Sequence, residues 1–384
     1  VKLRAGACAR IGVVVAIVFS MVSANVAAAG AAPAWRFVPT APGAAYGHLN
    51  DVSCPTASVC FAVGGQDTNG VVGKFIERWN GSKWSVAATP KPAGAGSSTF
   101  TAVQCVSTVS CVAVGQYNTP GRAKTMIQRW DGHTWSIQPS PNVAASPISA
   151  LAGVHCMSST NCFAVGVSYA STATSAAQST LIERWDGATW SIVPSPNQPF
   201  ANDSSLAGVS CVNATSCFAV GNYDTNTLTK TLIEHWDGAT WTIMPSPNPS
   251  TARFSELSGV TCLSGGVCFA VGASNLSLVE RFNGTSWSIV TSPNPKGATS
   301  VSFTDISCVN ISRCIAVGDQ LQTHAVQRVV EMWNGRRWVV TNVPVPKGTK
   351  KSDLSGVSCA PSMRCFAVGD WKIQNRRPLI EHYA

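Results

Sequence analysis

Along residues 35–384 the apolar positions fall into short runs, and the runs come in sets of four. Residues 206–248 show one set in full: LAGVSC, CFAVG, TLIEHW and WTIM, separated by polar or glycine-containing stretches. Runs this short, rich in Val, Ile, Phe, Thr and Trp and lacking a helical period, predict β-strands. Asp237-Gly238 stands between the third and fourth runs and predicts a tight hairpin, since glycine tolerates positive φ at no steric cost. The fourth run stops at Pro245-Ser246-Pro247-Asn248. Proline has no N–H to give to a ladder, so this strand belongs at a sheet edge and the first strand is innermost.

The set recurs six times in full and once truncated. Cysteines spaced C-x5-C mark it at Cys54/Cys60, Cys105/Cys111, Cys156/Cys162, Cys211/Cys217, Cys262/Cys268, Cys308/Cys314 and Cys359/Cys365. Successive first cysteines lie 51, 51, 55, 51, 46 and 51 residues apart. A period near 50 is that of propeller blades, four-stranded units that bury both faces against neighbours. The last unit ends at Leu379-Ile380-Glu381-His382-Tyr383 without a fourth strand, whereas Trp35-Arg36-Phe37-Val38-Pro39 reads as a fourth strand without the three before it. Joining the two predicts an all-β, seven-bladed β-propeller over residues 35–384, with four antiparallel strands per blade and the last blade closed by the N-terminal strand.

Residues 1–29 differ in kind. Lys2, Arg4 and Arg10 precede an apolar run from Ile11 to Val22, then small residues to Ala29. This predicts a secretory signal peptide cleaved after Ala29. The 12-residue run is short for a spanning helix, and left uncleaved it would be the protein's one attachment to a membrane. Fourteen cysteines remain beyond it, all in C-x5-C pairs, so one structural disulfide per blade is expected, stapling the first two strands. A shared metal needs thiolates converging on one ion, which pairs spaced around a ring do not do.

Hydrophobic strand, glycine, aromatic, short turn and tryptophan, in that order, resemble the kelch repeat, with Val220-Gly221, Trp236 and Trp241 in the places of its signature residues. The resemblance covers residues 35–384. The chain departs from it in two ways: only Gly64-Gly65 gives the paired glycine, and the cysteines lie outside the kelch pattern. The set is also similar to repeat proteins exported by bacteria. Kelch resemblance implies a propeller that serves as a binding platform; a fold alone does not fix a function.

Charge enters late along the chain. The sequence carries 27 Lys+Arg and 18 Asp+Glu; residues 35–312 hold 13 of each, and residues 313–384 hold 11 basic and 5 acidic. Arg313, Arg336, Arg337 and Arg364 belong to the short-turn face. Lys347, Lys350, Lys351, Lys372, Arg376 and Arg377 belong to variable loops of the opposite face, with Trp371 among them. That face is the expected binding face, because variable loops on a rigid scaffold usually carry recognition. Tyr46, Tyr117, Tyr169 and Tyr223 are placed in its loops as aromatic contacts. The other twelve tryptophans hold repeat positions and read as packing residues.

Enzyme chemistry is poorly represented. Glu77, Glu183, Glu234, Glu280, Glu331 and Glu381 share one repeat position, so they read as structural and not as the converging pair that glycoside hydrolysis needs. Asp51 and Asp305 stand on the innermost strand where other blades have Gly153, Gly208, Gly259 and Gly356, and read as solvated channel acids. No nucleophile elbow, phosphate loop or zinc-type histidine pair occurs. The sequence thus predicts an exported, monomeric binding or scaffold module for a protein or glycan partner, with an anionic partner matching the basic blades. No catalytic residue, cofactor, metal or nucleic acid is expected. The competing expectation is a secreted carbohydrate-active hydrolase or lyase with its site on the variable-loop face.

Overall fold

The computed structural model describes residues 33–44, 46–144, 146–171, 176–322, 325–344 and 348–384. The signal-peptide reading and Lys347 lie outside the described residues. Residues Ala34–Ala384 form one compact unit. Among the described residues there are twenty-eight strands and no helix. They repeat as four-stranded antiparallel meanders of the kind β2 (Gly47–Thr56), β3 (Val59–Thr68), β4 (Val71–Trp79) and β5 (Trp84–Val86). Two meanders join into one eight-stranded sheet through a single parallel pair, Ile148 with Ala123. The last sheet has the order β1 (Trp35–Phe37), β28 (Arg376–Tyr383), β27 (Cys365–Lys372), β26 (Lys351–Cys359), with Trp35 opposite Tyr383.

The second and third strands run well past the bounds read from the sequence. β15 (Ser216–Asp224) and β16 (Thr229–Trp236) continue as a ladder through Tyr223 and Lys230. Much of what reads as variable loop is therefore hairpin, held by cross-strand bonds that polar residues support as well as apolar ones.

Alternation in the second strand divides its side chains between two neighbours. Cys60 and Ala62 pack with Leu49, Trp79 and Trp84 of their own sheet and with Phe366, Val368 and Ile380 of the last sheet. Phe61 and Val63 turn the other way, onto Phe100, Trp130 and Trp135. Each core is thus made between sheets, and the twelve repeat tryptophans are at most 9% exposed. Arginine stems enter the same seams: the Arg78 guanidinium lies 5.4 Å from the Trp130 ring and that of Arg184 5.4 Å from Trp236.

A feature the sequence reading missed is a bulge in every first strand, as between Leu49 and Asp51. It explains the glycine that ends each CFAVG-like run. A Cβ on Gly64 would lie 2.0 Å from the His48 carbonyl oxygen, and on Gly221 2.0 Å from that of Ser205. The bulge re-aims its extra residue toward the next sheet: Asn50 Nδ2 donates to Phe100 O (2.6 Å), Thr101 Oγ1 to Leu151 O (2.6 Å), Thr304 Oγ1 to Leu354 O (2.8 Å).

All seven cysteine pairs are disulfides, with Cα–Cα distances of 3.9–4.2 Å. Six join directly opposed residues: Cys105 with Cys111, Cys156 with Cys162, Cys211 with Cys217, Cys262 with Cys268, Cys308 with Cys314 and Cys359 with Cys365. The seventh, Cys54 with Cys60, sits where the register between β2 and β3 shifts. The bridges staple the first two strands, as expected, and also enter the core. The second cysteine of each pair is a core residue: Cys60, Cys111, Cys162, Cys217, Cys268, Cys314 and Cys365 are at most 1% exposed. The alternation of the second strand turns each of them into the seam between sheets, where Cys111 packs with Trp130, Cys162 with Trp185, Cys268 with Trp287 and Cys314 with Trp333. These sulfurs therefore belong to the packing between sheets. Thiol titration of denatured, unreduced residues 34–384 should find no free thiol, and reduction should add fourteen hydrogens to the intact mass. Several free thiols in that measurement would contradict the bridges.

Candidate functional site

The inner strands line a central cavity of about 310 Å³ that includes Asp51, Gln104, His155 and Asp305. Its acids are half-buried and hydrogen-bonded. Asp51 is bonded by the amides of Val52 (2.7 Å) and of Val103 on the next sheet (2.8 Å), and Asp305 by that of Val357 on its next sheet (2.7 Å). Burial raises both carboxyls, Asp305 to about 7, and Asp305 pushes Asp51 further up. Both acids line the cavity, as read from the sequence, and their carboxyls in addition clamp neighbouring sheets. In four other first strands the same position is glycine, where the next inner strand comes close; a Cβ on Gly356 would lie 2.6 Å from the Asp51 Cα. His155, held down to about 4 by burial, is a neutral lining group. No cluster of three metal-ligating side chains occurs among the described residues.

The glutamate ring is equally structural, and its partners reveal a second role for the proline-rich tails. Ser140, in Pro139-Ser140-Pro141-Asn142, lies 2.9 and 3.1 Å from the Glu183 carboxyl oxygens of the following sheet. Ser195 meets Glu234 at 2.9 and 3.0 Å, and Ser246 meets Glu280 at 3.0 and 3.1 Å. All six glutamates are fully buried. Ser140 Oγ donates to the Glu183 carboxyl and is also linked to Thr125 Oγ1 (2.6 Å), which in turn reaches Pro141 O (3.2 Å). Ser195, Thr180 and the Asn197 carbonyl repeat this chain for Glu234. Burial raises Glu183, Glu234 and Glu280 to about 8 and Glu77, Glu331 and Glu381 to about 7, with Glu381 opposed by its ion pair to Arg328 at 3.1 Å. The second sheet carries the neutral isostere: Gln128 accepts from Thr89 Oγ1 (2.5 Å) and donates to Pro90 O (2.8 Å).

The tyrosines placed in loops are corrected as well. Tyr117 on β7 (Ser110–Thr119), Tyr169 on β11 (Asn161–Ser171) and Tyr223 on β15 are half-buried ladder residues, and Tyr117 and Tyr223 pack on core clusters. They sit on strands because the hairpins run on beyond the glycine. Tyr46 alone is exposed, at 55%, with φ of 65°.

The basic residues do gather. Lys351, Lys372 and Arg376 are successive register partners across β26, β27 and β28, so three cations form one row. Lys350 precedes the row, its amide donating to Lys372 O (2.9 Å). Arg377 is paired with Trp371 across the ladder and lies 6.0 Å over its ring. Trp371 is half-buried, edge-on to Phe37 at 6.4 Å, so it is already packed within the sheet. Carboxylates temper the row. Lys351 Nζ lies 3.5 Å from Asp353, and Arg376 Nη2 donates to Asp370, which is 4% exposed. Asp353 is raised to about 6, chiefly by burial and then by Asp370.

No family model matches this sequence, and no curated protein matches it. Solved structures do. One, described as YCF48 bound to D1 peptide, is 12% identical with a TM-score of 0.55, covering 91% of this chain and 94% of its own. YCF48 from Cyanidioschyzon merolae is 13% identical with a TM-score of 0.53, covering 91% and 98%. A structure described as an ulvan lyase of a new polysaccharide lyase family, bound to -[GlcA(1-4)Rha3S]-, is 9% identical with a TM-score of 0.53, covering 90% and 95%. Likeness at these identities carries the fold alone: the protein is a repeat-built, disulfide-bonded β-propeller.

Proposed function

We propose that this protein is an exported, monomeric, seven-bladed kelch-like propeller that acts as a binding module for an anionic glycan or protein surface. The domain plan is a signal peptide over residues 1–29 and a propeller over 35–384, its last blade completed by the N-terminal strand. The pairing of Trp35 with Tyr383 and the bond from the Cys54 amide to Ser358 Oγ (3.0 Å) support that closure. Seven disulfides support an extracytoplasmic compartment.

The observation that carries the binding reading is the cross-strand row Lys351, Lys372 and Arg376. Like charges directly opposed across a ladder are destabilising, and a partner bearing negative charge offsets that cost. The propeller neighbours include one described with a bound peptide and one with a bound acidic glycan, so both partner classes suit the fold. The carbohydrate-active enzyme reading is less well supported, because the channel acids and the buried glutamate ring are all taken up in bonds between sheets.

The test is binding to acidic and neutral glycans and peptides at rising salt. Affinity for the acidic set should fall steeply with ionic strength, since exposed charges are screened beyond about 8–10 Å near physiological salt. The combined variant Lys350→Glu, Lys351→Glu, Arg377→Glu should lose it. Salt-independent binding, or binding unchanged in that variant, would remove the row from the account.

A further inference from the structure

Beside the basic row, between the first and last sheets, lies a pocket of about 280 Å³ whose lining includes Tyr46, His48, Asp67, Lys372, Asn375 and Arg376. Its size is at the lower end of small-molecule sites, roughly 300 Å³ and upward. That suits one ring-sized group. Resting on the binding reading above, we propose that this pocket takes a single acidic sugar residue, with its carboxylate on Arg376 and Lys372 and its ring against Tyr46.

Arg376 is oriented in advance. The buried Asp370 engages Nη2 alone, and the side chain stays 52% exposed, leaving the rest of the guanidinium fork for a planar carboxylate. Lys372 has no ion pair among the described residues and adds a second charge. His48 contributes no competing charge near neutral pH, because burial and Arg376 hold it below its usual range. Asn375 and Asp67 place an amide and a carboxylate where sugar hydroxyls need partners of both kinds.

Tyr46 is the most telling member. Its φ of 65° puts a bulky aromatic residue in the left-handed region, where any side chain with a Cβ is strained. Burial in the protein does not offset that strain, since the residue is 55% exposed. Its carbonyl accepts the Asp67 amide at 3.1 Å, which holds this backbone at the pocket. An exposed ring there, with an apolar face and a polar tip, matches the C–H face of a sugar.

The experiment is calorimetric titration of residues 34–384 with tetragalacturonate and with its fully methyl-esterified, uncharged form. The acid should bind and the ester should not. Tyr46→Gly should weaken binding at least tenfold while leaving Tm unchanged or raised, because glycine relieves the backbone; a folding defect would lower both. Lys372→Gln should also weaken binding at least tenfold. Equal binding of acid and ester, or wild-type affinity in both variants, overturns the pocket. If the three-residue charge reversal at and beside the row abolishes acidic-glycan binding while Tyr46→Gly and Lys372→Gln leave it intact, the pocket falls and the surface reading stands. Absence of any salt-sensitive acidic-glycan binding removes both.

Discussion

Thermal stability should fall as pH rises from 5 to 8, the reverse of the usual acid sensitivity. The six buried glutamic acids are held at about 7 to 8 in the folded protein, against about 4.3 in an unfolded chain. Between those values the folded state keeps protons that the unfolded state releases, so stability declines with pH. The contribution is complete below about pH 4 and is lost as pH passes through 7 and 8. His155 works in the opposite direction: its folded value near 4 costs stability as pH falls below about 6.5. His48, His235 and His382, also lowered by burial, act in the same sense as His155, whereas Asp305, raised to about 7, adds to the glutamic acids. A loss of Tm of roughly 5–10 °C between pH 5 and pH 8 is expected, given about 1.4 kcal/mol for each tenfold difference in proton affinity and partial relaxation of the seams. Glu234→Gln, which copies the arrangement already present at Gln128, should reduce that slope and raise Tm at pH 8. A flat or rising Tm over this range, or a Glu234→Gln variant that is less stable at pH 8, would contradict protonated glutamic acids in the seams.

Deleting residues 35–42 should be the most damaging short truncation of the propeller. It removes Trp35, which is 4% exposed and packs with Leu354 and Leu379, and it leaves the whole of β28 as an unpaired edge. It also removes the Ala41 amide that bonds Glu77 on the first sheet (2.9 Å), so both sides of one seam lose contacts. The expected result is aggregation and a Tm lowered by more than about 10 °C. Trp35→Ala isolates the packing share, at a cost of about 3–5 kcal/mol. A truncated protein as soluble and heat-stable as its parent would show that this strand closes nothing.

The strand order, the hairpins and the cysteine staples were legible because each rests on local signals. Asp237-Gly238 needs only its own turn, and Cys211 faces Cys217 by ladder geometry. The site was legible in part: Lys351, Lys372 and Arg376 could be grouped, since repeat alignment brings the ends of three strands together. What escaped were relations between sheets. Nothing local marks Ser140 as the partner of Glu183, 43 residues away, so its motif read only as a strand terminator. The bond from the Val103 amide to Asp51 escaped because Val103 belongs to another repeat. Tyr46 stood with three other tyrosines and no sign that it alone stays exposed, because a left-handed backbone at a non-glycine residue has no signature in composition or spacing.

The ring closure on which both seam and pocket depend is tested most directly by amide hydrogen exchange of residues 34–40 alongside residues 376–384. In the structure the Val38 amide donates to Ile380 O (2.9 Å) and the Ala34 amide to Ala384 O (3.3 Å), on either side of the paired strands. The account predicts that both peptides exchange slowly, with protection comparable to the fourth strand at Trp135–Gln138, and that Trp35→Ala weakens the two together. Exchange of residues 34–40 at the rate of an unstructured chain, while residues 376–384 stay protected, would contradict it.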